Sequence, residues 1–193
     1  MKRFIYQIRF YTPWHAGSGL SSGAAADLAV IRDKEGFPFI PGKTLKGLLR
    51  EAAETLNKLD ADMVPRDFIE DIFGIRIETN ESNINHVEAL SFFSNAELTK
   101  NVKEELRKKP ILTKHLVTRI ASTAIDDNGQ AKEHTLRQIE ATVPMTLFAA
   151  IENFPDKPGY ASNIELCMKW VRRIGMNRNR GFGRCDLLTY NAN

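Results

Sequence analysis

Apolar and polar positions alternate from the start of the chain. Phe4, Tyr6, Ile8 and Phe10 recur at a period of two, which predicts a strand over residues 3–12 with one face buried. The period then disappears in a Gly-, Ser- and Ala-rich stretch, residues 14–27, which reads as a loop. Short apolar runs at Leu28–Arg32 and Phe37–Ile40 flank Asp33-Lys34-Glu35-Gly36 and predict two short strands around a turn. Helical spacing begins after Pro41. Leu45, Leu48, Leu49, Ala52, Ala53, Leu56 and Leu59 mark one face, with Thr44 placed as the N-cap. A second, short helix is predicted over Arg66–Phe73, stopped by Gly74.

Residues 75–88 are polar and read as a loop, Ala89–Phe93 as a strand, and 97–109 as a charged helix ended by Pro110. Segments Val117–Ile125 and Leu136–Ile151 flank Asp126-Asp127-Asn128-Gly129, a strong hairpin turn in which both aspartates are turn formers. Val143, Met145, Leu147, Ala149 and Ile151 alternate as a half-buried strand does. Ile164, Cys167, Met168, Val171 and Ile174 predict a further helix, capped by Ser162 and ended by Gly175, with a last strand from Arg184 to Tyr190. This order of elements predicts an α+β fold, with helices on one face of an antiparallel sheet.

The chain has 193 residues, enough for one domain, and the apolar and charged fractions of 42% and 26% exclude a disordered or collagen-like protein. No run of ~18 apolar residues is present, and Gln7 and Arg9 interrupt the apolar N-terminus, so neither a membrane span nor a signal peptide is expected. Cys167 and Cys185 sit at predicted core positions and offer neither a disulfide framework nor a zinc site, which fits a cytoplasmic protein. The net charge of +3 is too small to announce a polyanionic partner by itself.

Where the charge sits is more informative. From Lys169 to Arg184 there are six basic residues and no acid. The centre of that stretch, Gly175-Met176-Asn177-Arg178-Asn179-Arg180-Gly181-Phe182-Gly183-Arg184, combines glycines that admit close backbone approach with forked guanidinium donors. It is no Walker loop, because no Gly-Lys-Ser/Thr follows. Phosphate contact and a plain solvated turn both fit it. Lys43 and Lys46, with Arg50 one turn on, sit at the start of the first long helix, where cations oppose the helix dipole unless an anion docks there. His15 and Asp27 lie in the Gly-rich loop; an acid–base pair, a metal ligand or ordinary loop residues all fit them.

Taken together, Thr12-Pro13-Trp14-His15-Ala16-Gly17-Ser18-Gly19, Asp27-Leu28-Ala29-Val30-Ile31-Arg32-Asp33, Pro38-Phe39-Ile40-Pro41-Gly42-Lys43-Thr44-Leu45-Lys46-Gly47 and the Gly175–Gly183 loop resemble the RAMP superfamily of CRISPR-associated proteins. The pattern is most similar to the backbone subunit of type III effector complexes. The resemblance implies a modified ferredoxin-like, RNA-recognition-motif fold: one domain over 1–193, with a long thumb-like β-hairpin at 115–142 and a variable insertion at 75–110. It implies a guide RNA held along its phosphate backbone, target RNA, and neighbouring copies of the chain and other complex subunits as partners, with no membrane.

Carried onto this sequence, the resemblance makes His15, Lys43, Lys46, Arg50, Gly175, Arg178, Asn179, Arg180, Gly181, Gly183 and Arg184 the RNA-binding candidates. It makes Asp27 the catalytic residue and a ligand of a divalent cation, expected to be Mg²⁺. The implied reaction is attack of a ribose 2′-OH on the adjacent phosphate. Two other roles fit the same pattern. One is a non-catalytic structural or capping subunit. The other is a CRISPR repeat-processing endoribonuclease with His15 as base.

Overall fold

The computed structural model describes residues 2–17, 28–77, 85–87 and 89–190. The elements are β1 (Lys2–Phe10), α1 (Gly42–Leu59), α2 (Arg66–Phe73), β2 (Ile75–Ile77), β3 (Asn85–Val87), β4 (Phe92–Phe93), α3 (Lys100–Lys108), α4 (Pro110–Lys114), β5 (Val117–Ser122), β6 (Arg137–Thr142), β7 (Thr146–Phe154), α5 (Tyr160–Trp170) and β8 (Cys185–Thr189). A single 3-10 turn spans Arg178–Arg180. Among the described residues no helix is long and apolar enough to cross a membrane.

The main sheet has the order β4-β7-β1-β8 and every pairing is antiparallel. With β1-α1-β4 and β7-α5-β8 as its two halves, this is the strand order of a ferredoxin-like fold. The period-two pattern read in β1 holds: Tyr6, Ile8 and Phe10 are buried. Ile8 lies opposite Leu147 on one side and Leu187 on the other, so one apolar row crosses three strands. Helices α1 and α5 cover that face. Leu45, Leu49, Ala52, Ala53 and Leu56 of α1, and Ile164, Cys167 and Met168 of α5, join the same core. Gly42 opens α1 where a Cβ would stand 2.0 Å from the Phe93 carbonyl oxygen, so only glycine lets the helix start this close to β4.

The remaining elements are insertions. β5 and β6 form a regular hairpin from Val117–Thr142 to Ser122–Arg137. Beyond it the Asp126 carboxylate accepts the Asn128 and Gln130 N–H groups at 2.9 and 2.8 Å, and Gly129 takes a positive φ of 79°. Only the base of β6, Glu140–Thr142, is buried, so the hairpin projects from the body.

Several local expectations change. Thr44 lies inside α1, whose N-cap position is Pro41; the first N–H, of Gly42, is instead satisfied by Asn95 Oδ1 at 2.9 Å. Leu59 ends α1 exposed. Pro110 starts α4 at a position where its missing N–H costs nothing. β2 and β3 pair within the stretch read as loop; residues 78–84 and 88 of that stretch lie outside the described residues. Leu28–Arg32 and Phe37–Ile40 meet across the 33–36 turn at a single antiparallel bridge, Arg32 with Pro38, and go no further as a ladder, because Leu28, Val30 and Ile40 bridge Ile139, Gly17 and Ala96 instead. α5 starts after Gly159, not at Ser162, and ends at Trp170. The chain leaves the helix because the Arg172 carbonyl accepts the Cys185 N–H at 3.0 Å and the Ile174 N–H donates to Gly183 at 2.9 Å.

α3 is fastened to the 33–36 turn by Lys103, whose ammonium bonds Asp33 at 2.9 Å and Glu97 at 2.8 Å. Burial alone would raise the Asp33 carboxyl. The Lys103 ammonium and the Phe37 and Glu35 N–H groups outweigh it and hold the group below its ordinary 3.8. A depressed folded-state value stabilises the protein above pH 3.8, and that contribution is lost as pH falls through the folded value. Asp33→Asn is therefore expected to lower the urea midpoint at pH 6, and the gap from wild type is expected to close below about pH 3.8 in unfolding titrations across pH.

Candidate nucleic-acid interface

Beyond β1 the chain continues as a narrow strip, Thr12 to Gly17, bonded along both edges. On one edge Trp14 exchanges two backbone hydrogen bonds with Thr142 at the hairpin base, at 3.0 and 2.7 Å. On the other edge the Pro13 carbonyl accepts the Gly183 N–H at 2.8 Å and the His15 carbonyl accepts the Met176 N–H at 2.9 Å. Trp14 is fully buried and stacks on Phe10 with ring centroids 4.8 Å apart. The strip thus joins the hairpin to the Gly175–Gly183 loop.

Two glycines make that junction possible. Gly175 has φ 101°, and a Cβ there would stand 2.4 Å from the His15 carbonyl oxygen. Gly183 has φ 69°, and its Cβ would meet the Ile174 carbonyl oxygen at 2.0 Å. Between them, Asn177 and Gly181 in left-handed conformations bracket the 3-10 turn and carry Arg178, Asn179 and Arg180 outward, all exposed. The Arg173 guanidinium donates to the Arg178 carbonyl at 2.7 Å and braces the turn from inside. Arg178 and Arg180 make no ion pair among the described residues. Arg184 lies over the Tyr11 ring at 6.0 Å, and Arg172 pairs with Asp186 at 3.0 Å. A locked backbone presenting unneutralised guanidinium groups is suited to phosphate oxygens.

The other candidates separate. Lys43 is exposed at the start of α1. Lys46 is half-buried, and burial first, then the nearby Arg50 charge, pulls its ammonium below the usual lysine value. Arg50 is committed to the interior: its guanidinium bonds Glu54 at 2.7 Å and the Phe73 carbonyl at 3.3 Å, with 12% of the side chain exposed. It therefore ties α1 to the end of α2 and presents little surface to a ligand. The middle of α1, at Leu48, Glu51 and Thr55, lines one cleft together with Arg173, Arg178 and Asn179.

His15 is buried. Its Nδ1–H donates to the Glu140 carbonyl at 2.7 Å, and among the described residues Nε2 is enclosed without a hydrogen-bond partner. The residue holds the strip to β6 and does not reach the surface. Glu140 was not singled out from the sequence, yet its buried carboxylate accepts the Val30 N–H at 3.0 Å and an Arg32 N–H at 2.8 Å, while its own N–H donates to the Leu28 carbonyl at 3.1 Å. The Ile31 N–H reaches the Ala16 carbonyl at 2.8 Å. These bonds fix the described residues on either side of 18–27. Asp27 itself, the catalytic and metal-ligand candidate, lies outside the described residues. Among the described residues no three His, Cys, Asp or Glu side chains cluster as a metal site.

The sheet is ferredoxin-like, with a glycine-rich loop braced on the segment after its first strand, and the family model for the RAMP superfamily matches residues 7–186; the chain belongs to that superfamily. A stretch of 69 residues is 35% identical to the CRISPR system Cmr endoribonuclease Cmr4 of Pyrococcus furiosus, covering 35% of this chain and 23% of that protein. The match thus spans under a quarter of the curated relative. Among solved structures, a chain of the Type III-B Cmr-beta complex bound to cognate target RNA superposes with a TM-score of 0.68 and 16% identity, covering 98% of this chain and 97% of that one. A chain of a Type IV-B CRISPR complex superposes with a TM-score of 0.64 and 12% identity, covering 99% and 91%. At these identities the likeness is one of fold.

The glycine contacts carry a test. Gly183→Ala is expected to lose roughly 2–4 kcal/mol in urea unfolding, because backbone must move to admit the methyl group. Gly181→Ala, with φ 85° and open space at the Cβ position, is expected to lose only about 1 kcal/mol.

Proposed function

We propose that this chain is a backbone subunit of a type III CRISPR effector complex, binds guide RNA along its phosphates, and cleaves the paired target RNA through Asp27. The observation that carries the binding half is the locked glycine-rich loop, which holds Arg178 and Arg180 in solvent with no acid in the surrounding stretch from Lys169 to Arg184. Peptide N–H groups of the loop and the two guanidinium groups receive phosphate oxygens. Arg184, over the Tyr11 ring, adds to the cations of the loop, and Lys43, exposed at the start of α1, is a further cation for the RNA backbone. The hairpin β5–β6 lies across the strip from the loop and serves as the thumb that interrupts the guide at intervals. Copies of the chain then line up along one RNA beside other subunits of the complex. The named similarity to an endoribonuclease of Pyrococcus furiosus, and the fold shared with a chain from a complex holding target RNA, support this reading.

For cleavage, the target ribose 2′-oxygen attacks the adjacent phosphorus and loses its proton. The bond to the 5′-oxygen breaks and that oxygen takes a proton from water, leaving a cyclic phosphate and a 5′-OH. Asp27 orients that ribose or takes the proton. The divalent cation of this reading, Mg²⁺, would be held by Asp27 and RNA phosphate oxygens and would offset the charge on phosphorus oxygens. The buried His15, with Nδ1 committed to Glu140, gives no support to a repeat-processing enzyme that uses this ring as base.

Two measurements check the halves separately. Arg178→Ala with Arg180→Ala is expected to weaken guide binding for every sequence tested and to flatten the slope of log K against log salt by about 1.4, as loss of two single-strand phosphate contacts requires. Unchanged affinity would remove the loop from the site. In a reconstituted guide complex with Mg²⁺, Asp27→Ala is expected to abolish cutting of labelled target RNA while leaving target binding within about twofold of wild type. Equal cutting by both proteins would discard Asp27.

A further inference from the structure

We propose that the cleft between α1 and the C-terminal end of α5 holds one unstacked nucleobase of the bound RNA, laid against the indole of Trp170. The inference rests on the RNA-binding reading above and adds to it a base site that phosphate contacts alone do not require. The chain has two tryptophans with opposite fates: Trp14 is fully buried, while Trp170 is 49% exposed at the end of α5. The cleft beside Trp170 has a volume of about 290 Å³, at the lower edge of the ~300–1,000 Å³ of small-ligand sites. Leu48 and Glu51 of α1, three residues apart and so on one helix face, form the opposite wall.

The walls are chemically unequal. Trp170 and Leu48 offer an aromatic face and an aliphatic one, between which a flat base fits. Arg173, braced on the Arg178 carbonyl, and Arg178 itself close the end nearest the glycine-rich loop. Glu51 stands on the α1 wall, where a carboxylate repels phosphate and accepts the N–H groups of a base edge. That polarity orients a nucleotide, with its phosphate toward the loop and its base toward α1. The surroundings favour a nucleic acid over a protein: the stretch from Lys169 to Arg184 holds six cations and no acid, and the apolar side chains lining the cleft are Trp170, Leu48 and Val171, the last of them buried. A specific protein interface needs about 800 Å² on each partner, far more than these side chains supply.

Because Trp14 is enclosed, intrinsic fluorescence of the full chain changes on contact mainly at Trp170. The test titrates the protein with a mixed-sequence single-stranded oligoribonucleotide and with an abasic ribose-phosphate strand of equal length. The base-bearing strand is expected to quench the emission and the abasic strand to leave it unchanged. With affinities read from the anisotropy of end-labelled strands, Trp170→Leu is expected to raise Kd for the base-bearing strand about 5- to 100-fold, leave Kd for the abasic strand unaltered, and be partly rescued by Trp170→Tyr. Equal quenching by both strands, or wild-type affinity in Trp170→Leu, overturns the base site. If the Arg178/Arg180 double variant still weakens both strands in that case, the phosphate-binding reading survives without it. Binding of neither strand to wild-type protein removes both. A change in sedimentation of Trp170→Leu with unaltered RNA affinity assigns the cleft to contact between protein copies instead, and overturns the proposal.

Discussion

The arrangement depends on one backbone-to-backbone approach, that of the glycine-rich loop to the strip between Thr12 and Gly17. At Gly175 and Gly183 there is no room for a methyl group, and the peptide N–H and C=O groups of both segments pair across the gap. Buried backbone groups need partners, and here each segment supplies them for the other. The approach also sets where α5 stops, since the residues after Trp170 are drawn off to meet the start of β8. It fixes the 3-10 turn that carries the arginines. On the far edge of the same strip, Trp14 and Thr142 anchor the hairpin. Loop, sheet and hairpin are therefore three structures held by one six-residue segment.

The charges follow a division that net charge conceals. Acids and bases elsewhere neutralise each other in pairs that join α3 to the body, such as Arg107 with Glu35 and Lys103 with Asp33 and Glu97, or that lie within one helix, as Arg50 with Glu54 does in α1. On the 3-10 turn itself Arg178 and Arg180 are left to solvent, while Arg172 nearby pairs with Asp186. A chain of net +3 can in this way present a locally cationic turn.

Local patterns made much of this readable in advance. The period of two in β1, the helical face of α1 and the Gly74 stop of α2 all report burial against a single core, which a linear sequence records faithfully. The misread ends share another cause. Asn95 caps α1 from 53 residues away, and β8 ends α5, so neither boundary was encoded in nearby residues. Within its glycine-rich run His15 fits an acid–base group, a metal ligand or an ordinary loop residue; only the fold shows it buried and bonded to β6. Glu140 stands near the end of β6, and no spacing reveals that its carboxylate turns inward to Val30 and Arg32. Trp170 follows the apolar face of α5 by one helical turn, and its exposure arises because the helix ends there. The loop arginines were legible because an acid-free run is a property of composition.

Cys167 and Cys185 are both buried in the core, where loss of water pushes each thiol up to about 12. At pH 8 such a thiol is ionised to about one part in ten thousand, and only the thiolate attacks alkylating reagents. The folded chain is in effect chemically silent toward maleimides. A single cysteine introduced at the exposed hairpin tip would be the one nucleophilic sulfur on the surface, so a fluorophore could be placed there without first removing the native pair.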